Sequence, residues 1–348
     1  MTAAAPTPEK LTKKDYRTDQ EIRWCPGCGD YAILNAVQQA FAEMGVNRDN
    51  VAIVSGIGCS SRFPYYMETY GFHTIHGRAP AVATGLKVAN PDLDVWVMTG
   101  DGDGLSIGGN HLIHLLRRDV GVKVLMFNNR IYGLTKGQYS PTSEQGKVTK
   151  STPIGSPDAP FNPLALAIGA GATFVARTVD IMGQHIKDTI RAAAAHDGTA
   201  FIEVLQNCNI FNDKAFEPIV DRKVRDDQLV SLEKGEPLVF GKDEDQGLVW
   251  DRLGMRVVKL DVADPDGKTW TKDDLVVWDP TDSNPTLAFA MAHLRELRDP
   301  TPIGILRQIS DIPNYETIVH RQIEKAREKS PDRTLEQLIY SGNTWEVG

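Results

Sequence analysis

Val95-Trp96-Val97-Met98-Thr99-Gly100-Asp101-Gly102-Asp103-Gly104 is the stretch that decides how this chain folds. Four consecutive large apolar residues run through Thr99 straight into a turn rich in Gly and Asp, the pattern of a strand buried on both faces that ends abruptly. Working outward, Val51-Ala52-Ile53-Val54-Ser55, Val122-Lys123-Val124-Leu125-Met126-Phe127, Thr173-Phe174-Val175-Ala176 and Phe201-Ile202-Glu203-Val204-Leu205 repeat that character. Helical stretches separate them: Tyr31, Leu34, Val37, Phe41 and Met44 recur at helical spacing, and Ile181 to Ala195 reads the same way. Strands alternating with helices predict an α/β fold built on a doubly wound, largely parallel sheet.

The chain has 348 residues, a formal net charge of −8 and a pI near 5.5. No basic stripe gathers the Lys and Arg that neutralise phosphates, which argues against nucleic acid. No apolar run reaches the roughly 18 residues of a membrane span, and Met1 to Lys14 lacks the apolar centre of a secretory signal. The expectation is a soluble cytoplasmic protein in three parts: a polar arm over 1–23, the α/β domain over 24–218, and a charged, irregular extension over 219–348. That extension carries strand-like pieces at Val257 to Leu260 and Leu275 to Trp278, and helices at about Pro285 to Leu297 and Asn314 to Ala326. It is expected to pack on the main domain and on a partner subunit. Between them Gly133 to Pro163, rich in Thr, Ser, Pro and Gly, predicts a long loop, and long loops in compact domains tend to be functional or disordered.

The chemistry centres on the opening stretch. Asp101 and Asn129 leave the carboxyl ends of two strands, where open α/β sheets bind ligands, and offer the hard oxygens that Mg²⁺ takes while keeping contacts to phosphate. Gly100 and Gly102 let backbone approach a diphosphate. Gly-Asp-Gly, 25 intervening residues and Asn128-Asn129 resemble the signature of thiamine diphosphate enzymes, which implies Asp101, Asn129 and the Ile131 carbonyl on Mg²⁺. A dinucleotide fingerprint is excluded, because Leu105 stands where its third Gly belongs.

Only four cysteines occur, Cys25, Cys28, Cys59 and Cys208. Cys25-Pro26-Gly27-Cys28 is a turn able to chelate one metal centre, and zinc and iron–sulfur clusters both satisfy it. Cys59 and Cys208 each follow a strand, so a parallel sheet brings them to the same edge as Asp101.

With these residues in hand, the chain resembles the β subunits of the 2-oxoacid:ferredoxin oxidoreductases. The resemblance covers Trp24 to Phe216 and rests on Trp24-Cys25-Pro26-Gly27-Cys28-Gly29-Asp30, Gly56-Ile57-Gly58-Cys59-Ser60-Ser61, His76-Gly77-Arg78-Ala79, Gly100-Asp101-Gly102-Asp103 and Asn128 to Gln138. It implies one [4Fe–4S] cluster on Cys25, Cys28, Cys59 and Cys208, a thiamine diphosphate pocket lined by Asp30, Cys59, Ser60, His76, Gly77, Arg78, Gly100, Gly102, Asp103 and Tyr132, and an α subunit that completes the active site. It further implies oxidative decarboxylation of a 2-oxoacid with coenzyme A, electrons passing to ferredoxin. The Tyr132 to Gln138 string is most similar to enzymes acting on 2-oxoglutarate; Arg62 would fork the distal carboxylate, and Leu134 would shape the substrate pocket. Pyruvate or several 2-oxoacids as substrates, and a catalytically silent partner subunit, are the alternatives. Asp30 has a second reading as a helix N-cap; His111 and His114 read as packing or surface residues, and Lys136 as a phosphate, coenzyme A or solvated lysine.

Overall fold

A computed structural model describes residues 11–252, 254–294, 296–329 and 334–348. The expected arm over 1–23 falls outside the described residues up to position 10. Its remainder is docked: Tyr16 is fully buried, edge-on to Phe41 with ring centroids 5.9 Å apart.

Strands β1 (Val51–Ser55), β2 (Tyr70–His73), β3 (Asp94–Gly100), β4 (Val122–Asn128), β5 (Phe174–Val179) and β6 (Ala200–Leu205) pair in the order β2-β1-β3-β4-β6-β5, all parallel. Apart from β2 they are buried on both faces, as their unbroken apolar runs require. The period of two then sorts the side chains: Val95 and Val97 join one core, Trp96 and Met98 the other.

Helices α1 (Asp30–Met44), α2 (Ala79–Ala89), α3 (Asp101–Leu105), α4 (Gly109–Arg118), α5 (Pro163–Gly169) and α6 (Gly183–Ala195) connect the strands. Apolar stripes of α1 and α6 cover the Trp96 face, while those of α2, α4 and α5 cover the Val97 face. The strand order reverses between β1 and β3, which places the crevice of a doubly wound sheet outside their carboxyl ends.

The extension does more than pack on the domain. Its strands β7 (Leu229–Leu232) and β11 (Thr301–Gln308) lengthen the sheet to eight strands among the described residues, β11 pairing antiparallel with β5 and parallel with β7. Thr301-Pro302-Ile303-Gly304-Ile305-Leu306 is only moderately apolar and holds a Pro and a Gly, so its strand character comes from the exposed edge of β5 that it covers. Strands β8 (Val239–Phe240), β9 (Gln246–Asp251) and β10 (Gly254–Lys259) form a separate antiparallel sheet. Val257 to Lys259 lies in β10 as expected, whereas the Leu275 to Trp278 piece contributes only a bridge from Val277 to Pro237. Of the two expected helices, the first is Thr286–Ala292 and the second Tyr315–Lys329. No helix among the described residues is long and apolar enough to cross a membrane.

Candidate functional site

Parallel pairing aligns Gly100 of β3 with Phe127 of β4, so Asp101 and Asn129 emerge beside each other. With the loop after β1 they line a cleft open to solvent. Its lining includes Asp30, Cys59, Ser60, His76, Gly100, Asp101, Gly102, Asp103, Asn129, Ile131, Tyr132 and Leu134, so most of the expected pocket residues do meet at one place. Gly133 and Thr135, not singled out beforehand, line it as well.

The Gly-Asp stretch is itself the short helix α3 rather than a simple turn. Asp101 is 2% exposed; its carboxyl accepts from the Thr142 hydroxyl at 2.6 Å, and burial raises its pKa against the lowering effect of the Ser140 and Thr142 hydroxyls. Asn129 Oδ1 accepts from the Ile131 amide at 3.2 Å, and its Nδ2 donates to Gln206 at 2.9 Å. Between them Arg130 takes a left-handed φ of 57°, which turns Ile131 toward the cleft. Ion pairs to Glu144 and Glu296 and the Phe216 ring, 4.4 Å from its guanidinium carbon, hold Arg130 there.

Asp103 has a different role from its neighbour. Its Oδ1 accepts from the amides of Ile57 at 3.0 Å and Gly77 at 2.8 Å, and its Oδ2 from the Thr99 hydroxyl at 2.7 Å. The carboxylate thereby clamps the loops before and after β2 to the end of β3, and His76 lies 3.4 Å from it. This is why Gly56 has no side chain: a Cβ there would stand 2.0 Å from Asp103 Oδ2. Gly102 is equally constrained, by the Tyr132 ring at 2.2 Å from where its Cβ would lie. The absent side chain at 102 thus makes room for Tyr132, whose hydroxyl donates to the Gly102 carbonyl at 3.0 Å.

Three cysteine-bearing segments meet at the rim. Asn209 donates to the Pro26 carbonyl at 2.6 Å and the Gly29 amide to the Asn207 carbonyl at 3.2 Å, joining the Cys25–Cys28 turn to the Cys208 loop. The Trp24 indole donates to the Cys59 carbonyl at 2.7 Å. Sulfurs of Cys208 and Cys59 stand 3.4 and 3.6 Å from the point where a Gly133 side chain would begin. All four thiols are free. Burial pushes the Cys59 thiol up to about 12 and raises Cys28 and Cys208, so neighbouring thiolates would need a cation to neutralise them. No group of three or more His, Cys, Asp or Glu among the described residues is placed to hold a single metal ion. The Cys59 and Cys208 sulfurs flank one point beside the Cys25–Cys28 turn, and thiols are donors that zinc and iron–sulfur centres both accept.

Several expected residues do not reach the cleft. Arg62 donates to the Arg23 carbonyl and lines a separate cavity with Arg23, Tyr65 and Tyr66. The helical turn Ser60–Tyr66 carries its side chain away, and its charge acts instead on Cys59, where it opposes the effect of burial. Arg78 hydrogen-bonds His111, which burial and the adjacent guanidinium hold below the ordinary histidine range. Gly77 contributes its amide to Asp103 rather than lining the cleft. Asp30 is not an N-cap: Gly29 is, and Asp30 begins α1 with a carboxyl 1% exposed, one oxygen unpartnered and a pKa pushed by burial to about 7. Thr142 and Ser140 escaped the sequence reading because nothing local marks a serine or threonine in a long loop as folding back onto Asp101.

Residues 56–204 match the family described as thiamine pyrophosphate enzyme, C-terminal TPP binding domain. The 2-oxoglutarate oxidoreductase subunit KorB of Mycobacterium tuberculosis is 51% identical over 99% of this chain and 91% of its own length. A 2-oxoacid:ferredoxin oxidoreductase β subunit from a Sulfolobus species is 41% identical over 86% of each chain. Among solved structures, the 2-oxoglutarate:ferredoxin oxidoreductase of Magnetococcus marinus, determined with 2-oxoglutarate, coenzyme A and succinyl-CoA bound, superposes with a TM-score of 0.72 at 32% identity and covers 97% of both chains. Sheet and cleft agree with these likenesses: the chain carries a thiamine diphosphate-binding domain and belongs to the β subunits of the 2-oxoacid:ferredoxin oxidoreductases.

Proposed function

We propose that this chain, with an α subunit, converts 2-oxoglutarate, coenzyme A and oxidised ferredoxin to succinyl-CoA, CO₂ and reduced ferredoxin in the cytoplasm. The observation that carries the proposal is the cleft itself, where Asp101 and Asn129 line the same crevice as Cys59. Asp101, Asn129 and the Ile131 carbonyl would hold Mg²⁺ and the diphosphate; Cys25, Cys28, Cys59 and Cys208 would hold the [4Fe–4S] cluster. When bound, thiamine diphosphate supplies the electron sink for decarboxylation and the cluster a one-electron route outward.

The chain's own residues bind and orient. Asp103 keeps the loops around β2 in place, and His76 and Tyr132 wall the cofactor space. Leu134 stands at the substrate side, and Arg62 is the candidate fork for a distal carboxylate, provided it releases the Arg23 carbonyl. A partner is supported by the open flank of the cleft. Edge strand β2 is exposed throughout, and Ile75 (68% exposed) and Ile107 (58%) stand beside the close approach of Gly77 to Gly108. Apolar residues grouped there suit coverage by a second module.

Co-expression with the α subunit, followed by coenzyme A-dependent dye reduction across a series of 2-oxoacids, tests this. The highest kcat/KM is expected on 2-oxoglutarate; a colourless protein lacking iron, or no coenzyme A dependence, would overturn the redox reading. Placement of Arg62 outside the cleft favours a second reading, use of several 2-oxoacids including pyruvate, and the same assay separates the two.

A further inference from the structure

Behind Asp101 runs a line of buried polar contacts that the reaction itself does not call for. The Thr142 hydroxyl lies 2.6 Å from Asp101 Oδ2 and 2.9 Å from Asn128 Oδ1. The Asn128 amide is held in turn, its Nδ2 donating to Glu203 Oε1 at 2.7 Å and its Oδ1 accepting from the Arg130 amide at 3.2 Å. Glu203 Oε2 completes the line by accepting from Arg177 Nε at 2.7 Å. Asp101, Asn128, Thr142 and Glu203 are each no more than 3% exposed, so water cannot take over these contacts. Four separate pieces of the fold contribute: β3's end, β4, the loop after β4, and β6 backed by β5.

A hydroxyl carries one proton, so Thr142 serves only one of its two acceptors at a time. The carboxylate, being charged, is the stronger acceptor, and the neutral Asn128 carbonyl at 2.9 Å is the weaker one. Glu203 and the Arg130 amide keep Asn128 from turning its nitrogen to that place instead.

We propose that Thr142, oriented by Asn128 and Glu203, is a positioning residue that holds the Asp101 carboxylate in the rotamer that binds Mg²⁺. The proposal rests on the reading of Asp101 as an Mg²⁺ ligand. Partners of metal ligands commonly alter affinity by about 10- to 100-fold when removed.

Full-length chain assembled with its α subunit and stripped of metal would be titrated with Mg²⁺ at saturating thiamine diphosphate, with cofactor binding read by circular dichroism, and with Mn²⁺ read by electron paramagnetic resonance. Thr142→Val, which keeps the shape and loses the hydroxyl, is expected to weaken metal affinity about 10-fold. Thr142→Ser is expected to restore it to within about twofold, at unchanged melting temperature. Wild-type affinity in Thr142→Val, or an equal loss in Thr142→Ser, overturns the positioning role. Asp101→Ala distinguishes the two levels: if it abolishes metal binding while Thr142→Val does not, only the positioning role fails; if it leaves affinity intact, the ligand reading fails with it. Should Thr142→Val not fold, Glu203→Gln decides, a several-fold weaker affinity supporting the relay and an unchanged one overturning it.

Discussion

The two ends of the sheet bury charge in different ways. At the amino end Lys123, on β4, donates to the carbonyls of His196 and Gly198, while Asp119 accepts from Thr173 at 2.6 Å and from the Thr199 amide at 2.8 Å. Burial lowers Lys123 to about 8 and His196 to about 4, yet apart from one Asp119 oxygen these groups find partners within the chain. At the carboxyl end Asp30 likewise keeps an unpartnered oxygen, and three thiols are raised by burial beside one another. The amino end pairs most of its polar groups with one another around a polar cavity lined by Lys123 and His196. The carboxyl end leaves donor capacity facing a cleft, the mark of a site that binds something.

Substitutions at the two ends should therefore fail differently. Asp101→Ala should lower turnover of the assembled enzyme about a thousandfold, several kcal/mol of lost charge stabilisation, while thermal unfolding stays near wild type. A large fall in melting temperature instead would erase the distinction. Asp103→Ala, only two residues on, should behave in the opposite sense. It leaves the amides of Ile57 and Gly77 without acceptors, and stability measured by denaturant should drop by about 2–4 kcal/mol.

Arg62→Ala should reduce kcat/KM for 2-oxoglutarate by roughly 10- to 100-fold, the worth of a charge-assisted hydrogen bond, and leave pyruvate unaffected. An equal loss on both substrates would confine Arg62 to its contact with the Arg23 carbonyl and its effect on Cys59.

The effect at the amino end is one of stability alone. Because burial holds folded His196 near 4, below its ordinary 6.5, the unfolded chain binds more protons between those values. Stability is thus complete above pH 6.5 and falls as pH drops toward 4. His196→Gln should flatten that acid limb, read from melting temperatures across the window. An unchanged slope would show that acid destabilisation lies elsewhere.

Residues 51–55, 95–99, 122–127 and 201–205 declared their strands locally, because a run buried on both faces has to be apolar throughout. Gly100-Asp101-Gly102 and Asn128-Asn129 declared the cleft for a related reason: strand ends at a ligand crevice need small residues and oxygen donors at set places in the chain. Tertiary structure alone decided the rest. Thr301 to Gln308 became a strand because β5 offered an open edge, and Arg62 left the cleft because a short helical turn carried it round. Asp101 and Asp103 are two residues apart and chemically identical and both line the cleft, yet one accepts from the hydroxyl of a distant loop and the other clamps backbone amides. Chain order sets which residues are present, but what a carboxylate does depends on the donors that distant segments bring within about 3 Å of it.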